Sequence, residues 1–89
     1  MLVSSLFVHH AVAHCKATRG VNFLGHVTGA FEYFNFAQCM RACGTYHQKC
    51  RSFTYDSQKR SCLLHQLRRG EHGAAEQPAA KTVMYVQCA

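Results

Sequence analysis

CMRACGTYHQKCRSFTYDSQKRSCLL, residues 39–64, carries four of the chain's six cysteines at C-x3-C, C-x6-C and C-x11-C spacing. Immediately upstream, Asn35 is a good N-cap. Gln38 stands where its side chain reaches back to the capping residue's backbone N–H, forming a capping box. Phe36, Cys39, Met40 and Cys43 then recur at i, i+3, i+4, i+7, so the spacing predicts a short helix that buries them on one face. Gln38 and Arg41 fall on the opposite face. Gly44 is placed to end the helix in a left-handed conformation.

Downstream, Arg51–Tyr55 and Cys62–Leu67 are β-prone runs joined by the polar Asp56-Ser57-Gln58-Lys59-Arg60, a connection of hairpin length. Alternation puts Phe53 and Tyr55 on one face of the first strand, and Cys62 and Leu64 on one face of the second. Cys50 has the opposite parity to Phe53, so it belongs in the lead-in loop. Two cysteines one turn apart on a helix point in parallel toward what the helix packs on, which suits separate partners better than closure on each other.

Working outward, Val21–Leu24 reads as a strand ended by Gly25, with a turn around Gly29. Residues 67–81 hold two glycines, the only proline and several small residues, and read as a long exposed loop. Thr82–Cys88 alternates as a final strand, with Met84, Val86 and Cys88 on one face and Val83, Tyr85 and Gln87 on the other.

The 89 residues make room for one domain, and a domain this small gains from covalent staples. Charged residues at 16% are too few for a disordered tail, and an apolar share of 48% is ordinary for a packed fold. Six cysteines read as a disulfide framework in an oxidising compartment, and as metal ligands or reactive thiols in a reducing one. Within residues 1–14, the apolar Leu2–Val8 and the small-x-small Ala11-Val12-Ala13 outline a signal-peptide remnant, although no basic residue precedes them. The alternative is an N-terminal strand. No apolar run is long enough to cross a bilayer.

Cys39-x3-Cys43, Cys50-Arg-Ser-Phe-Thr-Tyr-Asp and Cys62-Leu-Leu, framed by Cys15 and by Tyr85-Val-Gln-Cys88, closely resemble the PAN/apple family. The resemblance spans roughly Cys15 to Cys88, within a domain over residues 15–89. It implies an α+β fold, a short helix packed on a curved antiparallel sheet, in an extracellular adhesion or recognition module that binds proteins or carbohydrates. It also implies one nested set among the ~15 pairings that six cysteines permit: Cys15–Cys88, Cys39–Cys62 and Cys43–Cys50. By chain entropy the three loops, from shortest to longest, are worth at most about 2.5, 3.5 and 4.5 kcal/mol, comparable together to a small domain's stability.

The alternatives are a purely structural module of a larger extracellular protein, or a small secreted inhibitor. A zinc site would draw on Cys39, Cys43, His47 and Cys50, the only tight cluster of soft ligands. Ser52, Ser57, Asp56 and His65 offer the components of a triad without a nucleophile elbow or an oxyanion motif, so no enzyme and no cofactor is expected. His9, His10 and His14 read as surface residues of the first segment. The net charge of +6 favours polyanions, and nucleic-acid motifs are absent, so the expected partner is an extracellular protein or glycan. Arg41, Lys49, Arg51, Lys59, Arg60, Arg68 and Arg69 all fall on or beside the helix and hairpin. They are the candidate ligand-binding residues for a sulfated glycosaminoglycan or an acidic protein, arginine because its planar fork donates two hydrogen bonds to a sulfate.

Reductant is expected to unfold the domain. A thermal melt in dithiothreitol should lose its cooperative transition, and an unchanged melt would exclude a disulfide framework. Intact mass separates the zinc alternative, because disulfides lower the mass by their lost hydrogens while a zinc site leaves free thiols.

Overall fold

A computed structural model of the chain describes residues 15–46 and 48–88. The readings made for residues 1–14, including His9, His10 and His14, and for His47 lie outside the described residues. Among the described residues, seven strands and one helix follow in chain order: β1 (Cys15–Arg19), β2 (Val21–Leu24), β3 (Val27–Phe31), α1 (Phe36–Thr45), β4 (Ser52–Asp56), β5 (Ser61–His65), β6 (Ala75–Pro78) and β7 (Val83–Cys88). Five of them form one antiparallel sheet in the order β1-β7-β4-β5-β3, and β2 pairs with β6 as a separate ribbon. The fold is α+β, with the helix on one face of the sheet.

The helix starts where its cap dictates. Asn35 Oδ1 accepts from the Gln38 N–H at 2.7 Å, and Gln38 Oε1 accepts from the Asn35 N–H at 2.8 Å, closing the capping box. Its far end differs from the expectation. Gly44 lies within the helix, which runs to Thr45 and ends at Tyr46 with φ −102°. The Tyr46 carbonyl accepts from both the Lys49 and Cys50 N–H groups at 2.7 Å, so a compact turn replaces the glycine cap.

Cross-strand register explains the core. Phe53 stands opposite Leu64 on β5 and Val86 on β7, and Tyr55 stands opposite Cys62 and Met84. All six therefore share the face that α1 covers. The Phe36 ring packs 5.8 Å from Phe53 and 5.9 Å from Tyr55. Cys50 sits in the loop before β4. Disulfides join Cys39 to Cys62 and Cys43 to Cys50, with all four cysteines buried, and Cys15 to Cys88, which face each other across β1 and β7.

The opposite face is buried as well, which alternation alone does not reveal. Ser52 and Thr54 on β4 are as buried as Phe53 and Tyr55, because Phe23 of β2 covers that side of the sheet. The Phe23 ring lies 4.5 Å from Tyr85 and 5.1 Å, edge to face, from the His65 ring. The stretch expected to be an exposed loop supplies the partner: Ala75–Pro78 pairs with Val21–Leu24 in antiparallel register. Pro78 is tolerated because it closes a ribbon edge and has no N–H to contribute. Gly29, expected in a turn, lies inside β3 opposite Leu64. The register shifts between Val27 and Gly29, so this glycine marks a bulge.

Two features of this second core are testable. Gly25 is buried beneath Phe23, and a Cβ there would lie 1.9 Å from a ring carbon that Tyr85 and His65 hold in place. Gly25→Ala is expected to cost about 1–3 kcal/mol in urea denaturation, as overpacking does. An unchanged midpoint would contradict this packing. His65 is fully buried, its Nε2 2.8 Å from Thr54 Oγ1 and its Nδ1 without a partner among the described residues. We assign the proton to Nε2, since a bare lone pair is less costly to bury than a bare N–H. Burial pushes the His65 pKa down from 6.5 to about 4. Between those values the unfolded chain binds a proton that the folded domain refuses, so stability falls as pH drops through this window and levels off below it. An NMR titration should find the His65 ring neutral until about pH 4, and a ring titrating near 6.5 would contradict its burial.

Candidate functional site

The helix and the hairpin give the domain two distinct ends. The Phe34 N–H donates to the Arg60 carbonyl at 3.0 Å, and the Cys50 N–H donates to the Tyr46 carbonyl at 2.7 Å. Helix α1 therefore runs from the tip of the β4–β5 hairpin to its base, against the direction of β4. Five-residue strands separate the two ends by about 17 Å at ~3.4 Å per residue.

This geometry divides the seven candidate residues, which do not form one patch. Lys49, Arg51, Arg68 and Arg69 flank the base, Lys59 and Arg60 sit at the tip, and Arg41 is exposed on the helix between them. A hairpin reverses direction, so Arg51 before the turn and Arg68 and Arg69 after it share the base although the whole hairpin separates them in sequence. Here the turn residues and the base residues lie a strand's length apart.

Electrostatics divides them further. Arg51 Nη1 pairs with Glu71 Oε2 at 3.1 Å. Arg69 grips Glu76 with two bonds, Nε to Oε2 at 2.5 Å and Nη2 to Oε1 at 2.9 Å, and its guanidinium lies 5.6 Å from the Tyr85 ring centroid. That bidentate bond raises the Arg69 pKa above its ordinary value and holds the Glu76 carboxyl below its own. These pairs are solvated and contribute little to stability, yet they neutralise much of the charge at the base. Arg68 is half-buried, and its Nε has no partner among the described residues. Lys49 is exposed and its carbonyl accepts from Thr28 Oγ1 at 2.6 Å, beside a shallow cleft of ≈ 260 Å³ that Tyr46, Phe31 and Leu64 also line.

The tip is charged differently. Lys59 and Arg60 are exposed and have no carboxylate partner among the described residues. Asp56, the nearest acid in sequence, points its Oδ1 at the Gln58 and Lys59 N–H groups at 2.9 and 3.2 Å and so shapes the turn. Two cations that sequence reading passed over join this end. Arg19 closes β1, and its Nη1 donates to the Lys81 carbonyl at 3.4 Å. Thr82, next in the chain, accepts from the Ser57 N–H of the hairpin turn at 2.9 Å. Arg19 and Lys81 are far from the hairpin in sequence and reach it only through the β1-β7-β4 order, so no local signal marks them.

Cys39, Cys43 and Cys50, three of the four residues of the zinc alternative, have their sulfurs in disulfides. Ser52 Oγ donates to the Leu67 carbonyl, Ser57 Oγ to the Thr82 carbonyl, and His65 meets Thr54, so the triad components each bond elsewhere. No helix among the described residues is long and apolar enough to cross a membrane.

The family model of the PAN domain matches residues 14–88. No curated protein matches the chain. PAN domains are extracellular modules that interact with proteins and carbohydrates and are generally non-catalytic. A capped helix on an antiparallel sheet with three disulfides, matched over nearly its whole length, places this chain in the PAN domain family.

Proposed function

We propose that this chain is an extracellular recognition module, secreted or part of a larger secreted or surface protein, that binds an anionic partner at the tip end of its hairpin. The partner class is a sulfated glycosaminoglycan or an acidic protein surface. The observation that carries this reading is the contrast between the two ends. Arg51 and Arg69 at the base are held by Glu71 and Glu76, whereas Arg19, Lys59, Arg60 and Lys81 are exposed with no carboxylate partner among the described residues. Charges left unpaired on a rigid, disulfide-tied frame keep their field for a ligand, and bringing an anion to them displaces only water and counterions. The family supports the compartment and the class of activity, since its members are extracellular binding modules.

The test compares two double variants that remove the same formal charge at different places. Lys59→Ser with Arg60→Ser is expected to lower the salt needed to elute the domain from heparin well below that of wild type. Arg51→Ser with Arg69→Ser should elute close to wild type. Equal shifts for the two would show binding by net charge alone, and wild type eluting with a non-binding protein of equal charge would overturn the reading.

A further inference from the structure

Two residues at the tip end adopt backbone conformations that side chains ordinarily avoid. Tyr33 has φ +62° and Arg60 has φ +55°, both in the left-handed region where a Cβ crowds the backbone. They are neighbours across the fold, because the residue after Tyr33 donates its N–H to the carbonyl of Arg60 at 3.0 Å. Glycine or asparagine is the ordinary occupant of such positions, yet one holds a tyrosine and the other an arginine. Strain of this kind persists where the surroundings over-determine it, and it concentrates at binding sites.

The surroundings here are rigid. The Phe31 and Phe34 rings stack at 4.8 Å on either side of the turn that carries Tyr33. The Phe34 carbonyl accepts from the hydroxyl of buried Tyr55 at 2.7 Å. Tyr33 itself is 78% exposed, against 46–53% for the other exposed large hydrophobic residues described, so its ring contributes nothing evident to the core. A tyrosine on such a turn has few rotatable bonds to immobilise on binding, which is one reason tyrosine is enriched at contact points, while arginine is enriched there for its planar hydrogen-bonding fork.

We propose that Tyr33 and Arg60 are the contact point of the tip end, and that its ligand is an acidic glycan. The proposal rests on the anion-binding reading above. The negative face of the tyrosine ring receives the polarised C–H groups on one face of a pyranose. Arg60, with Lys59 beside it, holds a sulfate or carboxylate of the same glycan through charge-assisted hydrogen bonds. Lys81, two residues before β7, and Arg19, at the end of β1, continue the row across the sheet in the order β5, β4, β7, β1. A row of cations ending at an aromatic platform matches a linear chain of charged sugars better than a single acidic side chain. Glu32, exposed next to Tyr33, is the one carboxylate at this end among the described residues not bonded to the hairpin turn, and it would disfavour a ligand whose charges crowd the ring.

The test titrates the folded domain with a size-defined heparan sulfate oligosaccharide and, separately, with polyglutamate. Tyr33→Ala is expected to weaken oligosaccharide binding roughly three- to tenfold, the range for loss of a ring-stacking contact, and to leave polyglutamate binding unchanged. Tyr33→Phe should retain oligosaccharide binding. Arg60→Gly and Tyr33→Gly should weaken oligosaccharide binding without lowering Tm, because glycine relieves the strained backbone. Oligosaccharide binding untouched by Tyr33→Ala would overturn this proposal while leaving the anion-binding reading in place. Equal loss toward polyglutamate would point to an acidic protein partner and also overturn it. A lower Tm in both glycine variants would show that the side chains serve the fold. Wild type that binds neither polymer would remove the anion-binding reading itself.

Discussion

The two disulfides from α1 set the frame on which everything else is arranged. Cys39 and Cys43 lie one helical turn apart, and their sulfurs bond to Cys62, in the strand after the hairpin tip, and to Cys50, before its base. Both links together fix the direction in which the helix lies on the hairpin, where one alone would leave a pivot. The helix then presents Phe36 to Phe53 and Tyr55, and the capping box at Asn35 holds the first turn beside the hairpin tip. Because helix and hairpin are tied in this sense, the turn carrying Tyr33 is held against the turn carrying Arg60.

The sheet between these layers is covered on both faces, unusually for so short a chain. The helix seals one side, while Phe23 on the β2–β6 ribbon seals the other against Tyr85 and His65. Burial of this kind makes the central strand β4 an uninterrupted buried run from Ser52 to Tyr55. It also places polar groups where they need partners: Ser52 bonds the Leu67 carbonyl and Thr54 bonds His65. His65 stays neutral for the same reason, and belongs to the second core more than to any chemistry.

Much of the frame was legible in the sequence. The capping box, the apolar helix face, the hairpin and the parity of Phe53, Tyr55, Cys62 and Leu64 follow from local spacing, and the structure places them accordingly. What escaped notice depends on long-range pairing. Ala75-Glu-Gln-Pro has none of the apolar alternation of a strand, and it becomes one only because β2 offers it an edge. The bulge at Gly29 and the helical Gly44 look alike in sequence to turn and cap glycines, since composition cannot report backbone φ. The charged residues were visible as types but not as places. Sequence proximity grouped Arg51 with Lys59 although a strand separates them, and missed Arg19 and Lys81, which only the sheet order brings to the tip.

The functional account therefore turns on position more than on net charge. One end of the domain has two of its arginines, Arg51 and Arg69, occupied by its own carboxylates, and the other leaves its cations open beside an exposed, constrained tyrosine. Chemical-shift mapping in a ¹⁵N-labelled domain titrated with heparan sulfate oligosaccharide tests this most directly. The account predicts saturable shifts at Arg19, Tyr33, Lys59, Arg60 and Lys81, with Arg51 and Arg69 unmoved. Shifts centred on Arg51 and Arg69, or spread evenly over the cations, would contradict it.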